Sequence, residues 1–245
     1  MPKVFLFDYL LTFLPYDTRR LLFKSLKSDE YNALQDRRTV DTDNGYSLKP
    51  FDQHKCIFIH IPKCAGVSIS KSLFGNLAGG HMKMFKYKIV FSRHEFNSYF
   101  KFTFVRNPWD RLVSSYFFLK EGGYGENDRM WAEANLNIYK DFTEFVKKGV
   151  YRKKILRKQH FVPQYKFICM PGQFATDLDF IGYFENLEKD FQYVSDKLGI
   201  KCALRFENVG KKRKRDYRQY YNSDTKRIVS DIYHKDIEMF GYSFD

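Results

Sequence analysis

Residues 62–68, PKCAGVS, combine the residue types of an anion-binding loop. Lys63 supplies a mobile positive charge, Gly66 allows close approach of the backbone, and Ser68 supplies a hydroxyl donor. Together with main-chain N–H groups, such a set can hold a phosphate or a sulfate. The lysine precedes the glycine, whereas the P-loop of nucleotide hydrolases needs G-x-x-x-x-G-K-[ST], a string that the 245 residues lack. The segment therefore predicts a phosphate-binding loop of another kind.

A second candidate anion site lies in residues 104–116, FVRNPWDRLVSSY. Arg106 follows a short apolar run, and Asn107 with Pro108 has the residue types of a helix start. Arg111 and Ser114 then share a helix face with Asn107, away from the apolar stripe. A positive fork at the carboxyl end of a strand, beside a helix hydroxyl, predicts a second phosphate site.

The elements that position these groups are two strand–helix units. Residues 56–61 form an apolar, β-branched run typical of a buried strand, and an apolar stripe predicts a helix over residues 67–77. Residues 102–105 and the helix that begins near residue 108 repeat this order. We expect an α/β fold, with one P-loop-like domain over residues 51–245 and a central parallel sheet flanked by helices on both faces.

The first fifty residues are predicted to form a helical or extended arm. The apolar run at residues 4–14 is too short to cross a bilayer and lacks the features of a signal peptide, so a cytoplasmic location is expected. Residues 18–27 fit an amphipathic helix that packs Leu21, Leu22 and Leu26 on the domain, with peripheral membrane contact as the alternative. Residues 29–50 are polar and are expected to form a loop or an extended arm.

The charge balance limits the class of partner. The chain has 42 basic and 29 acidic residues, a net charge of +13, which favours a nucleic acid, an anionic membrane or an acidic glycan without choosing among them. The cysteines form no C-x-x-C pair, and no histidine stands at zinc-finger spacing. We expect reduced thiols and no metal site. The four cysteines are Cys56, Cys64, Cys169 and Cys202.

The two motifs together resemble those of sulfotransferases that use 3′-phosphoadenosine-5′-phosphosulfate (PAPS), in the family that includes bacterial enzymes and Golgi carbohydrate sulfotransferases. The resemblance covers roughly residues 54–245 and leaves the first fifty uncovered. It implies that the loop binds the 5′-phosphosulfate end of PAPS. The loop residues concerned are Lys63, Cys64, Ala65, Gly66, Val67 and Ser68.

By the same resemblance, Arg106 and Ser114 hold the 3′-phosphate of PAPS. The chain departs from the family pattern at Cys64 and Val67, where a hydroxyl or amide residue and a threonine are usual, so two side-chain donors are in question. The main-chain N–H groups, Lys63 and Ser68 remain available to the cofactor.

A histidine between the two motifs serves as the base in many family members, and His81 occupies that interval. A neutral imidazole suits the removal of a proton from an acceptor hydroxyl. His94 is the competitor, although it lies in the expected lead-in helix of the second strand, and His60 is expected to be packed in the interior.

Residues 208–221, NVGKKRKRDYRQYY, resemble the family loop that closes over the 3′-phosphate and adenine. Lys211 and Arg215 are the predicted cofactor contacts there. The alternative for this stretch is a nuclear-localisation signal or a nucleic-acid-binding patch, since proteins that bind single strands combine basic residues with aromatic residues.

These observations predict a PAPS-dependent O-sulfotransferase with 3′-phosphoadenosine-5′-phosphate as product. By resemblance, its acceptor is a hydroxyl group of a carbohydrate, and neither a metal nor a nucleic-acid partner is expected. Two alternatives remain. One is a basic nucleic-acid-binding protein, and the other is a phosphoryl-transfer enzyme on a related fold, which would need magnesium and the missing P-loop.

Overall fold

The computed structural model describes residues 3–205 and 216–245. In the first helix, the side chains are described from residue 7 onward. Two short 3₁₀ helices lie at Phe184–Asn186 and Tyr217–Tyr220. The other elements, in chain order, are α1 (Lys3–Leu11), α2 (Tyr16–Leu26), α3 (Ser28–Asp36), α4 (Lys49–His54), β1 (Cys56–Ile59), α5 (Gly66–Phe74), α6 (Met84–Val90), α7 (Arg93–Ser98), β2 (Phe100–Val105), α8 (Pro108–Lys120), α9 (Glu126–Asn135), α10 (Phe142–Lys148), α11 (Lys153–Arg157), α12 (Tyr165–Ile168), β3 (Phe180–Tyr183), α13 (Leu187–Lys197), α14 (Ser223–Ile232) and α15 (His234–Phe240).

The strands form one sheet in the order β1-β2-β3. β1 and β2 run parallel, with Cys56 opposite Phe100 and Ile59 opposite Thr103. All four residues of β1 are buried, as expected for an apolar run in a parallel sheet that is covered by helices. The predicted α/β class with parallel strands is confirmed.

The described chain forms two compact units. One contains residues 3–61, 65–104 and 166–205, and the other contains residues 62–64, 105–165 and 216–245. In the first unit, Phe58 of β1 and Phe102 of β2 stack with ring centroids 5.0 Å apart. In the second unit, the predicted apolar stripe of α8 is confirmed, because Trp109 and Tyr116 belong to a buried aromatic cluster. The predicted boundary between an arm and a domain at residue 50 stays a prediction.

The predicted orientation of α2 is wrong. Leu21 and Leu26 are each 64% exposed, whereas Arg19 and Phe23 are buried. The reason is that the Arg19 guanidinium donates hydrogen bonds to the main-chain carbonyls of Leu11, Thr12 and Leu14, which ends α1 and turns this face of α2 inward. No helix within residues 3–205 and 216–245 has the length and apolar character that a membrane crossing requires.

The segment that follows α2 also differs from expectation. Residues 29–50 were expected to be irregular, but α3 begins at Ser28 and α4 at Lys49. Arg38, between the two helices, pairs with Asp52 at 2.6 Å and with Glu95 at 2.7 Å. Long-range ion pairs of this kind cannot be found from local periodicity.

Near the C-terminus, α14 and α15 follow one another and are separated at Tyr233. Asn186 precedes α13 but makes no side-chain capping bond. All four cysteines are free, as predicted.

Candidate active site

The first junction, residues 60–68, joins β1 to α5 through a strained loop. Lys63 and Ala65 both have left-handed backbone angles, with φ of 70° and 60°, which side-chain-bearing residues adopt rarely. Ala65 occupies the N-cap of α5 and offers no side-chain hydrogen bond to the first turn. Ala65 therefore does not cap the main-chain N–H groups at the start of this helix. A helix start without a side-chain cap can bind an anion through these N–H groups.

Gly66 is required by the packing of His60. A Cβ atom on Gly66 would lie 1.8 Å from Cδ2 of the His60 ring, a distance that no side chain could tolerate. The His60 ring is buried and stacks on Phe58, with centroids 5.8 Å apart and planes 8° apart. The expectation that His60 packs in the interior is confirmed.

His81 lies against His60 in the same unit. The two imidazole rings are 4.2 Å apart, and Nδ1 of His81 is 3.3 Å from the main-chain oxygen of His60. A carbonyl oxygen only accepts hydrogen bonds, so a hydrogen bond at this contact requires the proton on Nδ1, and in the neutral ring the lone pair is then on Nε2. That tautomer is the one a general base needs. His94 lies exposed on α7, the lead-in helix predicted for it.

The second junction, residues 105–114, joins β2 to α8. Asn107 is the N-cap of α8 and accepts hydrogen bonds from the N–H groups of Trp109 and Asp110, while Pro108 takes the first helical position, as predicted. Arg106 donates from Nε to Asp110 at 2.7 Å and from Nη1 to Ser114 Oγ at 3.4 Å. The structure thus brings Arg106 and Ser114 together.

Arg106 also reaches the anion-binding loop. Its Nη1 donates to the main-chain oxygen of Lys63 at 3.0 Å. The Lys63 side chain lies beside Phe118, with Nζ 3.7 Å from the ring centroid. Burial, together with the positive charge of Arg106, lowers the pKa of Lys63 to about 8. A partly desolvated ammonium beside a second cation would be stabilised by a nearby anion.

Arg111 adds a third positive charge, after Lys63 and Arg106, in the second compact unit. It is buried, and it donates to the main-chain oxygens of Pro62 at 2.9 Å and Val162 at 3.0 Å. Its Nη2 atom is buried without a hydrogen-bond partner in the described part of the chain. Of these three cations, Arg106 is paired with the carboxylate of Asp110. A group of three cations fits a ligand that carries several negative charges.

The side chains of two loop residues do not fit the binding of an anion. Cys64 is buried, and its Sγ lies 3.3 Å from Oε1 of Gln164. Val67 is half-buried and apolar. Any contact that these two residues make with a cofactor phosphate would use their main-chain N–H groups. Lys211 and Arg215, the predicted contacts of the basic loop, lie outside the described residues.

Sequence reasoning missed three contacts around Lys63 and Arg106. Asp110 stands four residues after Arg106, a spacing that predicts an ion pair on a helix, so this signal was present. Phe118 and Gln164 carry no such signal, because their contacts with Lys63 and Arg106 depend on the fold. Groups of three or more side chains able to ligate a metal are absent from residues 3–205 and 216–245.

The sequence profile of the Sulfotransferase family matches residues 48–243, most of the chain. The chain belongs to the sulfotransferase family. Carbohydrate sulfotransferase 14 of Danio rerio is 29% identical over 186 residues, which cover 63% of this sulfotransferase-family chain and 49% of the relative. Carbohydrate sulfotransferase 9 of Homo sapiens is 26% identical over 235 residues, or 78% and 52% of the two chains.

Carbohydrate sulfotransferase 11 of Mus musculus is 22% identical over 255 residues, covering 86% of this sulfotransferase-family chain and 72% of the mouse protein. The chain spans about half the length of the first two of these relatives. No solved structure matches it.

Proposed function

We propose that this protein is a PAPS-dependent O-sulfotransferase that transfers a sulfuryl group to a hydroxyl of a carbohydrate. Membership of the family supports sulfuryl transfer, and similarity to proteins named carbohydrate sulfotransferases supports a glycan acceptor. The observation that carries the proposal is the Arg106 guanidinium, which joins the Lys63 carbonyl of the loop to the Ser114 hydroxyl of α8.

PAPS, when bound, supplies a sulfuryl group that passes in line to an oxygen nucleophile, with 3′-phosphoadenosine-5′-phosphate as the leaving group. Arg106 and Ser114 hold the 3′-phosphate by charge-assisted hydrogen bonds. The main-chain N–H groups of residues 64–68 and the Ser68 hydroxyl orient the 5′ end. Lys63 stabilises the negative charge that develops on the departing phosphate, which is where a preorganised cation contributes most.

His81 removes the proton of the acceptor hydroxyl. The contact of its Nδ1 with the His60 carbonyl holds the ring in the tautomer whose Nε2 can accept that proton. Because His60 is fixed by its stacking on Phe58 and by the close approach of Gly66, the base is positioned by buried groups. Lys211 and Arg215 are proposed to close over the adenine and the 3′-phosphate.

A thermal-shift panel tests this function against the two alternatives. The purified protein is heated with 3′-phosphoadenosine-5′-phosphate, ADP, ATP with magnesium, or a single-stranded oligonucleotide. A sulfotransferase is stabilised most by the bisphosphate, and a ligand at a hundred times its dissociation constant adds about 2.7 kcal/mol of stability. The largest shift with ATP and magnesium would instead identify a phosphoryl-transfer enzyme. A largest shift with the oligonucleotide, lost steeply with salt, would identify a nucleic-acid-binding protein.

A further inference from the structure

Gln164 is a fully buried polar residue between α11 and α12, with no exposed surface. Its side-chain amide makes two hydrogen bonds with the main chain of Arg106. Oε1 accepts from the Arg106 N–H at 3.0 Å, and Nε2 donates to the Arg106 carbonyl at 2.8 Å. A main-chain N–H can only donate and a carbonyl can only accept, so these partners fix which end of the amide is which.

These two bonds lie just after β2 ends at Val105. The amide of Gln164 therefore takes the place of a neighbouring strand and satisfies both polar main-chain groups of Arg106. An unpaired buried main-chain group is costly, so the backbone of Arg106 is held where Gln164 can reach it. This fixed backbone determines where the Arg106 side chain starts, and its guanidinium donates hydrogen bonds to Asp110 and Ser114.

The same amide also holds the anion-binding loop. The thiol of Cys64 lies 3.3 Å from Oε1 of Gln164, and it is the thiol, not the thiolate, that can donate to an oxygen acceptor. Gln164 thus contacts one residue of each predicted cofactor segment, Cys64 in the loop and Arg106 at the start of the second motif. Both contacts lie within one compact unit.

Gln164 is itself anchored from α15. Its main-chain N–H donates to Oδ2 of Asp236 at 2.7 Å, and the N–H of Tyr165 donates to Oδ1 at 2.9 Å. Asp236 is fully buried, so the anchor is screened from water. A rigid path of hydrogen bonds therefore leads from the C-terminal helix to both segments.

We propose that Gln164 is a positioning residue that couples the loop for the 5′ end of the cofactor to the arginine for its 3′-phosphate. The inference rests on the proposed function and adds to it. Gln164 acts through Cys64 and Arg106 and does not touch the reacting atoms. Its loss should impair recognition of the two phosphates together, in addition to any loss of stability.

Gln164→Met tests the coupling, because methionine keeps the length of the side chain and removes all three hydrogen bonds. We expect the dissociation constant for 3′-phosphoadenosine-5′-phosphate to rise about tenfold or more by calorimetry, and the KM for PAPS to rise while the KM for the acceptor stays unchanged. Tyr233→Phe is the matched control. It removes one buried hydrogen bond of the same unit, from Tyr233 to the Phe161 carbonyl at 2.9 Å, and should leave cofactor affinity unchanged.

Gln164→Glu gives a second test if the methionine variant does not fold. A protonated glutamic acid has one donor and one acceptor, as the amide does, whereas the carboxylate only accepts. The affinity of this variant for 3′-phosphoadenosine-5′-phosphate is compared with that of wild type at each pH. The ratio of variant to wild-type affinity should rise as the pH falls. A ratio that stays constant with pH would overturn the proposal.

Two failures can be told apart. If wild type does not prefer 3′-phosphoadenosine-5′-phosphate to ADP, the proposed function is wrong and the inference falls with it. If wild type shows the preference but Gln164→Met binds the bisphosphate within twofold of wild type, the coupling alone is wrong.

Discussion

The two strand–helix junctions share an order of elements but present their helix starts differently. At the first junction, α5 begins after two left-handed residues, and its N-cap, Ala65, gives no side-chain bond. At the second junction, Asn107 closes the start of α8 by accepting hydrogen bonds from Trp109 and Asp110. The first junction therefore offers main-chain N–H groups to an anion, and the second must rely on side chains.

This difference predicts two kinds of sensitivity. A site made of main-chain groups should respond to changes in backbone shape, such as an added Cβ atom at Gly66. A site made of side chains should respond to truncation of Arg106 or Ser114 and should tolerate changes to the helix cap.

The largest expected effect belongs to His81. His81→Ala should lower turnover about 10²- to 10⁴-fold, the usual contribution of a general base, while thermal shifts with 3′-phosphoadenosine-5′-phosphate stay the same. Wild-type activity should fall at acid pH, because the protonated imidazole cannot accept a proton. His94→Ala is the internal control and should resemble wild type. An exchange of the two phenotypes would assign the base to His94.

Lys63 should come next. Lys63→Ala should lower kcat about 10²- to 10³-fold, since a charge aimed at the leaving phosphate acts mainly in the transition state. Binding of the desulfated product should weaken less than turnover does. Lys120→Ala, at the exposed end of α8, controls for loss of positive charge. Turnover of the Lys63 variant within twofold of wild type would make Lys63 a scaffold residue.

Gly66→Ala tests the dependence of the first junction on backbone shape. The new Cβ would meet the His60 ring, so the loop or the ring must move, and affinity for 3′-phosphoadenosine-5′-phosphate should fall more than about tenfold. Calorimetry of the folded variant measures this change.

The paired variant for this comparison is Asn107→Ala, which opens the helix start at the second junction. It should reduce the free energy of unfolding by about 1 to 2 kcal/mol, with little change in cofactor affinity. If Gly66→Ala and Asn107→Ala lose cofactor affinity equally, the two junctions do not differ in how they bind the cofactor.

The pH dependence of cofactor binding should be smaller and comes from Lys63. In the free protein its pKa is lowered to about 8, so the ammonium loses its proton above that pH. Bound phosphate favours the charged form, and binding must then take up a proton. Affinity should fall by up to about tenfold per pH unit above pH 8, and Lys63→Met should bind more weakly but lack this slope. A flat wild-type profile would contradict the proposed charge contact.

Local patterns predicted the parts of the site that sequence neighbours determine. The Asn107–Pro108 helix start and the apolar stripe of α8 follow from helix geometry, and the structure has both. The family resemblance implied the pairing of Arg106 with Ser114, and the structure brings these two side chains within 3.4 Å. The orientation of α2 was wrong because a buried arginine, not the leucines, decides which face turns inward. The contacts of Gln164 with Arg106 and of Phe118 with Lys63 were missed because only the fold brings these distant segments together.

The most direct test of the two phosphate assignments is the preference for 3′-phosphoadenosine-5′-phosphate over ADP in wild type, Arg106→Ala and Lys63→Ala. Calorimetry gives the ratio of the two dissociation constants for each protein. If the two junctions bind opposite ends of one cofactor, Arg106→Ala should erase the preference, and Lys63→Ala should weaken both ligands while preserving it. Equal affinity of wild type for both nucleotides, or a preserved preference in Arg106→Ala, would contradict the assignment of the 3′-phosphate to the second junction.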